Sequence, residues 1–498
     1  MSGILLGVDI GTSSTKGVLA RPDGEVVATA ERPHELSLPR PGWAEHDAEK
    51  VWWEDFVSIC GELLEKADDV IAAVCTSGIG ACILPADEGG KPLRPAILYG
   101  IDTRAEREIE VLNDRYGREA LLEQCGSVLT TQAVGPKLLW LRHNEPEVWE
   151  KTRKFFMASS FVAYRLTGEY ALDHHSASQC DPLYDVLEYA WIGERAEEIA
   201  PDLPLPRLLW PAEVVGEVSR EAAEATGIPA GTPVAAGTID AWSEGASVGV
   251  QEPGDLMLMY GTTMFMIEVL KEPLHHPGLW GTTGVLPETH NLAAGMATSG
   301  ALTGWLKRIS GDLSYEELTE EAAAVPPGSD ALVVLPYFAG ERTPIFDPRA
   351  RGLISGLTMS HGRGHLYRAM LEATAYGVRH IFEFMREAGG GGERLVAVGG
   401  GTKGGLWTKI VSDVTGRPQD LPEQTIGAAY GDALLAARAV GLAEPDTDWS
   451  TISATVEPDE GNRDIYDELY GIYRDLYPAT REASHRLADL QKGADVIT

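Results

Sequence analysis

The segment Gly7-Val8-Asp9-Ile10-Gly11-Thr12-Ser13-Ser14-Thr15-Lys16 sets a carboxylate, a tight glycine turn, hydroxyls and a lysine directly behind the apolar run Ile4-Leu5-Leu6. A strand of that kind delivers Asp9 at its carboxyl end, and Gly11 permits a sharp turn whose backbone N–H groups face an anion. Thr12 and Ser13 add neutral donors, and Lys16 adds charge. Asp9 alone would repel a phosphate, so its place beside these donors makes sense when a hard divalent cation sits between them. Such a set prepares for a metal-bound polyphosphate. An ordinary hairpin turn, with Asp9 and Gly11 serving only the bend, is the competing reading of this segment alone. A second carboxylate, Asp240, follows the short predicted strand Val234-Ala235-Ala236 and the turn Gly237-Thr238-Ile239. Phosphoryl transfer to an alcohol needs a carboxylate that accepts the hydroxyl proton and a separate metal site that neutralises the transferred charge. Asp9 and Asp240 would divide that work. Taken by itself, Asp240 also fits a helix N-cap, the commoner role of Asp before a helix.

The elements that must position these residues follow a repeated grammar. After the first strand, Gly17 to Ala20, the turn Arg21-Pro22-Asp23-Gly24 and Glu25 to Ala30 read as strand, turn and strand, an antiparallel meander. Ala48 to Ala67 carries apolar residues at helical spacing, and Val70 to Cys75 is a short β-branched run suited to a buried strand. Gln251-Glu252-Pro253-Gly254 marks a boundary, after which Asp255 to Tyr260 forms a strand ending in Gly261-Thr262-Thr263. That repeats the order of residues 4 to 12. Two lobes of similar length, 1–248 and 249–498, would then place two phosphate loops face to face across a cleft. A third glycine cluster, Gly399-Gly400-Gly401, follows the strand Leu395 to Val398 and precedes a helix through Trp407 and Val411.

A chain of 498 residues with 44% hydrophobic side chains is too long for one core and can fill two. Its formal net charge of −34 argues against nucleic acid or an anionic membrane as partner. It does not exclude ATP, whose phosphates can meet local backbone dipoles, a lysine and Mg²⁺. The cysteines Cys60, Cys75, Cys82, Cys125 and Cys180 are scattered and odd in number, which suits neither a disulfide framework nor a zinc site. A reducing cytoplasm is the expected setting, with no basic leader before Ile4 and no apolar run of membrane-spanning length. Two motifs mislead. Gly399 to Gly404 fits the dinucleotide pattern G-x-G-x-x-G but sits late in the chain. In Gly245-Ala246-Ser247-Val248-Gly249 the serine falls inside a predicted helix, away from the strand-to-helix turn that a hydrolase nucleophile needs.

An ordered set of matches over almost the entire chain resembles the FGGY carbohydrate kinases, with the xylulokinase-like pentulose kinases the most similar in appearance. The matches begin with Asp9-Ile10-Gly11-Thr12 and Lys16, then Pro41-Gly42-Trp43-Ala44-Glu45 with Trp52-Trp53. Lys137-Leu138-Leu139-Trp140 is similar to the core of the first family signature, although Val134 stands where a small hydroxyl residue or proline is usual. Asp240, Gly261-Thr262-Thr263 and Gly340-Glu341-Arg342-Thr343-Pro344 follow in order. Gly352 to Leu357, with His365-Leu366 and Ala369-Met370-Leu371-Glu372, resembles the second signature, and Gly399-Gly400-Gly401 the loop near adenosine.

The resemblance implies an α/β chain of two actin-like (ribonuclease H-like) lobes with a central ATP/sugar cleft. It implies ATP-dependent transfer of the γ-phosphoryl group to a hydroxyl of a ketose, a pentulose such as xylulose or a related sugar or polyol. Asp240 would be the general base, and Asp9 would hold Mg²⁺ through water. Thr12, Ser13 and Thr262 would bond phosphates beside Lys16, with Gly261 and Thr263 completing the second loop. Gly300, Gly400 and Gly401, followed by Gly404, would let the nucleotide approach the backbone. A homodimer is a further family-based expectation. The departures fall on the acceptor side, where Ser77-Gly78-Ile79-Gly80-Ala81 places Gly78 and Ile79 at the positions of a Met-His pair. Tyr99-Gly100-Ile101-Asp102-Thr103-Arg104 is one residue longer than its counterpart, and Asp102 either reaches a sugar hydroxyl or caps a helix. The rival is a non-catalytic or regulatory ATP-binding protein of the same actin-like architecture, which would have no use for a base at Asp240.

Overall fold

The apolar run Ile4 to Ile10 and its repeat at Asp255 to Tyr260 each become the central strand of a seven-stranded sheet in the computed structural model, which describes residues 3–494. In the first sheet, β1 (Ile4–Ile10), β2 (Ser14–Ala20) and β3 (Val26–Pro33) form the predicted antiparallel meander. On its other side β1 pairs in parallel with β4 (Ile71–Gly78). The sheet order is completed by β5 (Val214–Glu217) and β6 (Pro233–Ala235), giving β5-β6-β4-β1-β2-β3, with Thr238–Ile239 added beside the end of β4. Helix α1 (Asp55–Leu64) and helix α2 (Ala158–Thr167) cover one face. Buried on both faces, β1 and β4 are near-continuous apolar runs, as central strands with parallel neighbours require.

Helix α3 (Asp240–Ser247) leads to the second lobe. There β7 (Asp255–Tyr260) and β8 (Met264–Leu270) form a hairpin, extended by β9 (Trp280–Thr283) and β10 (His290–Met296). After α4 (Gly300–Ile309) and the long α5 (Arg363–Glu387), β11 (Arg394–Val398) returns parallel to β7. Helix α6 (Leu406–Thr415) and β12 (Gln419–Pro422) continue the parallel part, and the order becomes β9-β10-β8-β7-β11-β12-β13, with β13 being Ile452–Val456. Each sheet therefore contains a core of three antiparallel strands followed by two parallel ones, the ribonuclease H-like topology, built twice. The C-terminal helix α8 (Arg463–Ala494) packs on the second lobe through Tyr466, Leu469 and Tyr473.

One helix departs from the division at residue 248. Helix α7 (Ala428–Ala439) belongs to the second half of the chain yet lies on the first sheet, sharing a core cluster with Leu5, Val18, Ala73 and Cys75. It also crosses α3 at backbone contact distance, since a Cβ at Gly431 would stand 1.9 Å from the Ser243 carbonyl oxygen. Tyr430 Oη and Trp449 Nε1 bond the carbonyls of Gly24 and Pro22, so the second half also grips the first hairpin turn.

Candidate active site

Asp9 lies near the end of β1, in register with Lys16 of β2 and Ser77 of β4. The turn that follows closes when Gly11 N–H donates to Ser14 O at 3.0 Å. His34 pins it from behind, its ring spanning the Gly11 carbonyl at 3.0 Å and the Asp55 carboxylate at 2.9 Å. Thr12 Oγ1 meets the Tyr99 hydroxyl at 3.2 Å, while Ser13 and Lys16 stay exposed at the rim. Oδ1 of Asp9 is buried and has no hydrogen-bond partner among the described residues. Burial pushes the Asp9 carboxyl well above the ordinary carboxylate range. The charges of Asp240, Asp432 and Glu244 push it further, against the opposing pull of Lys16.

Asp240 is the first residue of α3, delivered by the two-residue strand that pairs with Ser77 and Gly78 at the end of β4. It does not act as the N-cap, which is Ile239. One carboxylate oxygen accepts the N–H of Ala241 at 2.8 Å; the other takes no bond from the described residues. Burial pushes its pKa to about 6, with the Ala241 bond pulling the other way. One turn further, Glu244 is pushed to about 7, first by burial and then by Asp240. Asp432 of α7 is fully buried beneath them and accepts three bonds, from Ser77 N at 3.1 Å, Ser77 Oγ at 2.7 Å and Ser243 Oγ at 2.7 Å. Motif reading missed both Glu244 and Asp432. The signal for Asp432 was a lone carboxylate inside the alanine-rich run Ala428 to Ala439.

The second loop mirrors the first, with Gly261 N–H donating to Thr263 O at 3.1 Å. The start of α4 holds it: Ser299 N and Ala301 N donate to Thr262 O at 3.1 and 3.0 Å, and Gly300 N to Gly261 O at 3.0 Å. Gly300 is required by that contact, because a Cβ there would stand 2.6 Å from the Gly261 oxygen. Gly261, Thr262, Gly300, Gly400 and Gly401 line one cavity of about 480 Å³ with Lys403, walled by the aromatic side chains of Tyr315, Tyr367 and Trp407. The sequence reading had none of those three as site residues, their positions being set by α5, α6 and the segment after α4. Gly404 lies just beyond the cavity lining, with open space around it.

A second cavity of about 360 Å³ between the lobes is lined by Gly100, Gln132, Trp280, Glu341, Arg342 and neighbours. Glu341 accepts Ala297 N and Arg342 N, each at 2.7 Å, and burial pushes it to about 8. Three residues expected to bind the sugar, Gly78, Ile79 and Asp102, do not line this cavity. Gly78 faces the methyl of Ala158, and Ile79 is in the core of the first lobe. Asp102 is buried with both oxygens engaged, by Ala44 N at 2.7 Å and by the backbone and guanidinium of Arg104. Arg104 in turn stacks 3.9 Å from Trp43 and pairs with Glu45 at 2.9 Å. The Asp-x-Arg spacing therefore knits the 99–104 loop to the early Pro41 to Glu45 segment.

A divalent cation fits this centre. An orphaned carboxylate oxygen on Asp9 faces converging negative charge with Lys16 opposing it. Among the described residues no three His, Cys, Asp or Glu side chains are grouped closely enough to hold an ion alone. Asp9 would therefore hold it with water and phosphate oxygens filling the remaining positions.

Two ribonuclease H-like lobes, a glycine turn at the end of each first strand, and carboxylates between them define an actin-like phosphotransferase. The chain belongs to the FGGY family of carbohydrate kinases, whose N-terminal domain matches residues 4–245 and whose C-terminal domain matches 256–440. It is a carbohydrate kinase, and kinases of this kind use ATP with a divalent metal. It is 30% identical to the xylulose kinase of Escherichia coli (strain K12), covering 88% of this chain and 90% of that one. It is 27% identical to the gluconokinase of Bacillus subtilis (strain 168) over 99% of each. The crystal structure of xylulose kinase from Rhodospirillum rubrum superposes with a TM-score of 0.89 at 32% identity, covering 97% of this chain and 100% of that one. Among the described residues no helix is long and apolar enough to cross a membrane.

Proposed function

We propose that this kinase phosphorylates a ketose, a pentulose such as xylulose, or the corresponding polyol, with Mg²⁺-ATP as donor and Asp240 as general base. The observation that carries the assignment is the free oxygen of Asp240, at the start of α3 and facing the metal carboxylate Asp9. Phosphates would lie between the loops at Gly11-Thr12 and Gly261-Thr262, with Lys16 at the rim and the adenosine in the aromatic cavity of the second lobe. Mg²⁺, when bound, supplies neutralising charge to the transferred phosphoryl group. Asp240 takes the proton from the attacking hydroxyl, and at neutral pH a group titrating near 6 is ionised yet basic enough for that task. Gln132, Glu341 and Arg342, which line the open cavity between the lobes, support polyhydroxylated chains over glycerol as acceptors. The five buried cysteines, all free, support a reducing cytoplasm as the setting.

The test is ADP release from ATP and Mg²⁺ against pentuloses, hexuloses, pentitols, gluconate and glycerol. The expected result is a ketose or its polyol as best acceptor. Glycerol or gluconate as the sole good acceptor would overturn the substrate assignment.

A further inference from the structure

Beyond the acceptor cavity lies a smaller recess between the lobes, lined by Gln179, Asp181 and Trp242 from the first and by Phe265, Trp280 and Thr282 from the second. It shares Thr130, Gln132 and Trp280 with the acceptor cavity, so the two adjoin across those side chains. Trp242 stands two residues after Asp240 on α3, so its ring turns to a different face of that helix and the recess is set away from the base.

Two polar groups in this recess are unaccounted for by the fold. Asp181 is only 6% exposed; its Oδ2 accepts Ser127 Oγ at 3.0 Å, but Oδ1 is buried without a partner among the described residues. Its backbone carbonyl receives Gly135 N–H at 2.9 Å, which explains the residue's place but not its carboxylate. Across the recess, Thr282 Oγ1 is likewise buried and unpartnered. A buried polar atom left unpaired costs about 1–3 kcal/mol, so two of them on residues that line one recess mark a place where something else can complete the bonds. The walls are the rings of Trp242, Phe265 and Trp280, which suit the C–H faces of a carbohydrate. The space takes roughly one or two water-sized groups, about the size of one hydroxymethyl end.

We propose that Asp181 and Thr282 recognise a hydroxyl at the end of the acceptor remote from the one that is phosphorylated, and that they determine specificity. Asp181 accepts from that hydroxyl or donates to it, Thr282 completes the pair from the opposite lobe, and closure of the lobes therefore depends on an acceptor long enough to reach both. This rests on the acceptor-kinase assignment above.

The test compares the best acceptor of the panel with its analogue lacking the remote hydroxyl, in the full-length wild type and in Asp181→Leu and Thr282→Val. Wild type is expected to prefer the parent by about tenfold or more in kcat/KM, because a site built to bond a hydroxyl rejects its deoxy analogue. Each variant should lose that factor on the parent, little on the analogue, and nothing in KM for ATP. Should Asp181→Leu fail to fold by circular dichroism, the near-isosteric Thr282→Val carries the test. Wild-type discrimination retained in the folded variants would overturn the proposal, and an internal water as sole occupant predicts that result. Acceptor binding followed by the fluorescence of Trp242 and Trp280 without ATP separates the two assignments. Binding that depends on Asp181, with no turnover, faults only the acceptor assignment; turnover with discrimination independent of Asp181 faults only the recess.

Discussion

Asp240 and Asp9 differ in what surrounds them, and under the proposed mechanism that difference would divide their work. Asp9 has a buried orphan oxygen and charge crowding it; Asp240 has one bonded and one open oxygen and titrates near 6. Asp240→Asn should lower kcat by about 10²- to 10⁴-fold while ADP affinity stays near wild type. Wild-type kcat/KM should fall as pH drops below about 6 and the base is protonated. Stability moves the other way. A folded pKa raised above the ordinary 3.8 means that the native state binds the proton more tightly, so the contribution of Asp240 to stability declines as pH rises from about 4 to 6. Above pH 7 the Asn variant should therefore unfold at a temperature roughly 1–3 °C higher than wild type, the two converging near pH 4 by calorimetry. The placement of Asp9, Thr12, Asp240 and Thr262 was legible in the sequence because each sits at a strand end or glycine turn with a recognisable local pattern. Asp181 was not, since its function depends on Thr282, a residue 101 positions away that only the closed sheet edge brings opposite it.

At the scale of elements, the site is held by α3 and α7 crossing with almost no side chain between them. Asp432 is the clasp, bonding Ser77 at the end of β4 and Ser243 on α3. Asp432→Ala would leave the Ser77 N–H and hydroxyl without an acceptor in the core, Ser243 Oγ keeping the Ala428 carbonyl at 3.0 Å, and should destabilise the protein by about 2–4 kcal/mol, read as a lower urea midpoint at unchanged slope. Asp432→Asn should cost less, because the amide oxygen still accepts. The meander β1 to β3, β7 and β11 were readable from short apolar runs and their turns. Helix α7 was not, for a physical reason. Ala428 to Ala437 is buried on every side, so no polar face breaks the pattern, and its partner strands lie more than 350 residues earlier in the chain. The 99–104 loop shows the converse: its spacing was legible, but the buried pair it forms with Trp43 and Glu45 was not.

For the whole molecule, the repeat of two similar sheets describes the architecture but not its assembly. Without α7, the face of the first sheet carrying Leu5, Val18 and Ala73 would meet water. A fragment ending at residue 248 should therefore be insoluble or molten alone, and co-expression with 249–498 should restore a soluble complex with ADP release, assayed by gel filtration and turnover. Independent solubility and a sharp thermal transition of 1–248 would refute this. The crossed helix also governs the order of events at birth. The first lobe leaves the ribosome some 180 residues before the segment that seals its sheet, so it waits incomplete until translation is nearly finished. Synthesis, and not only catalysis, thereby joins the two lobes into one obligatory unit.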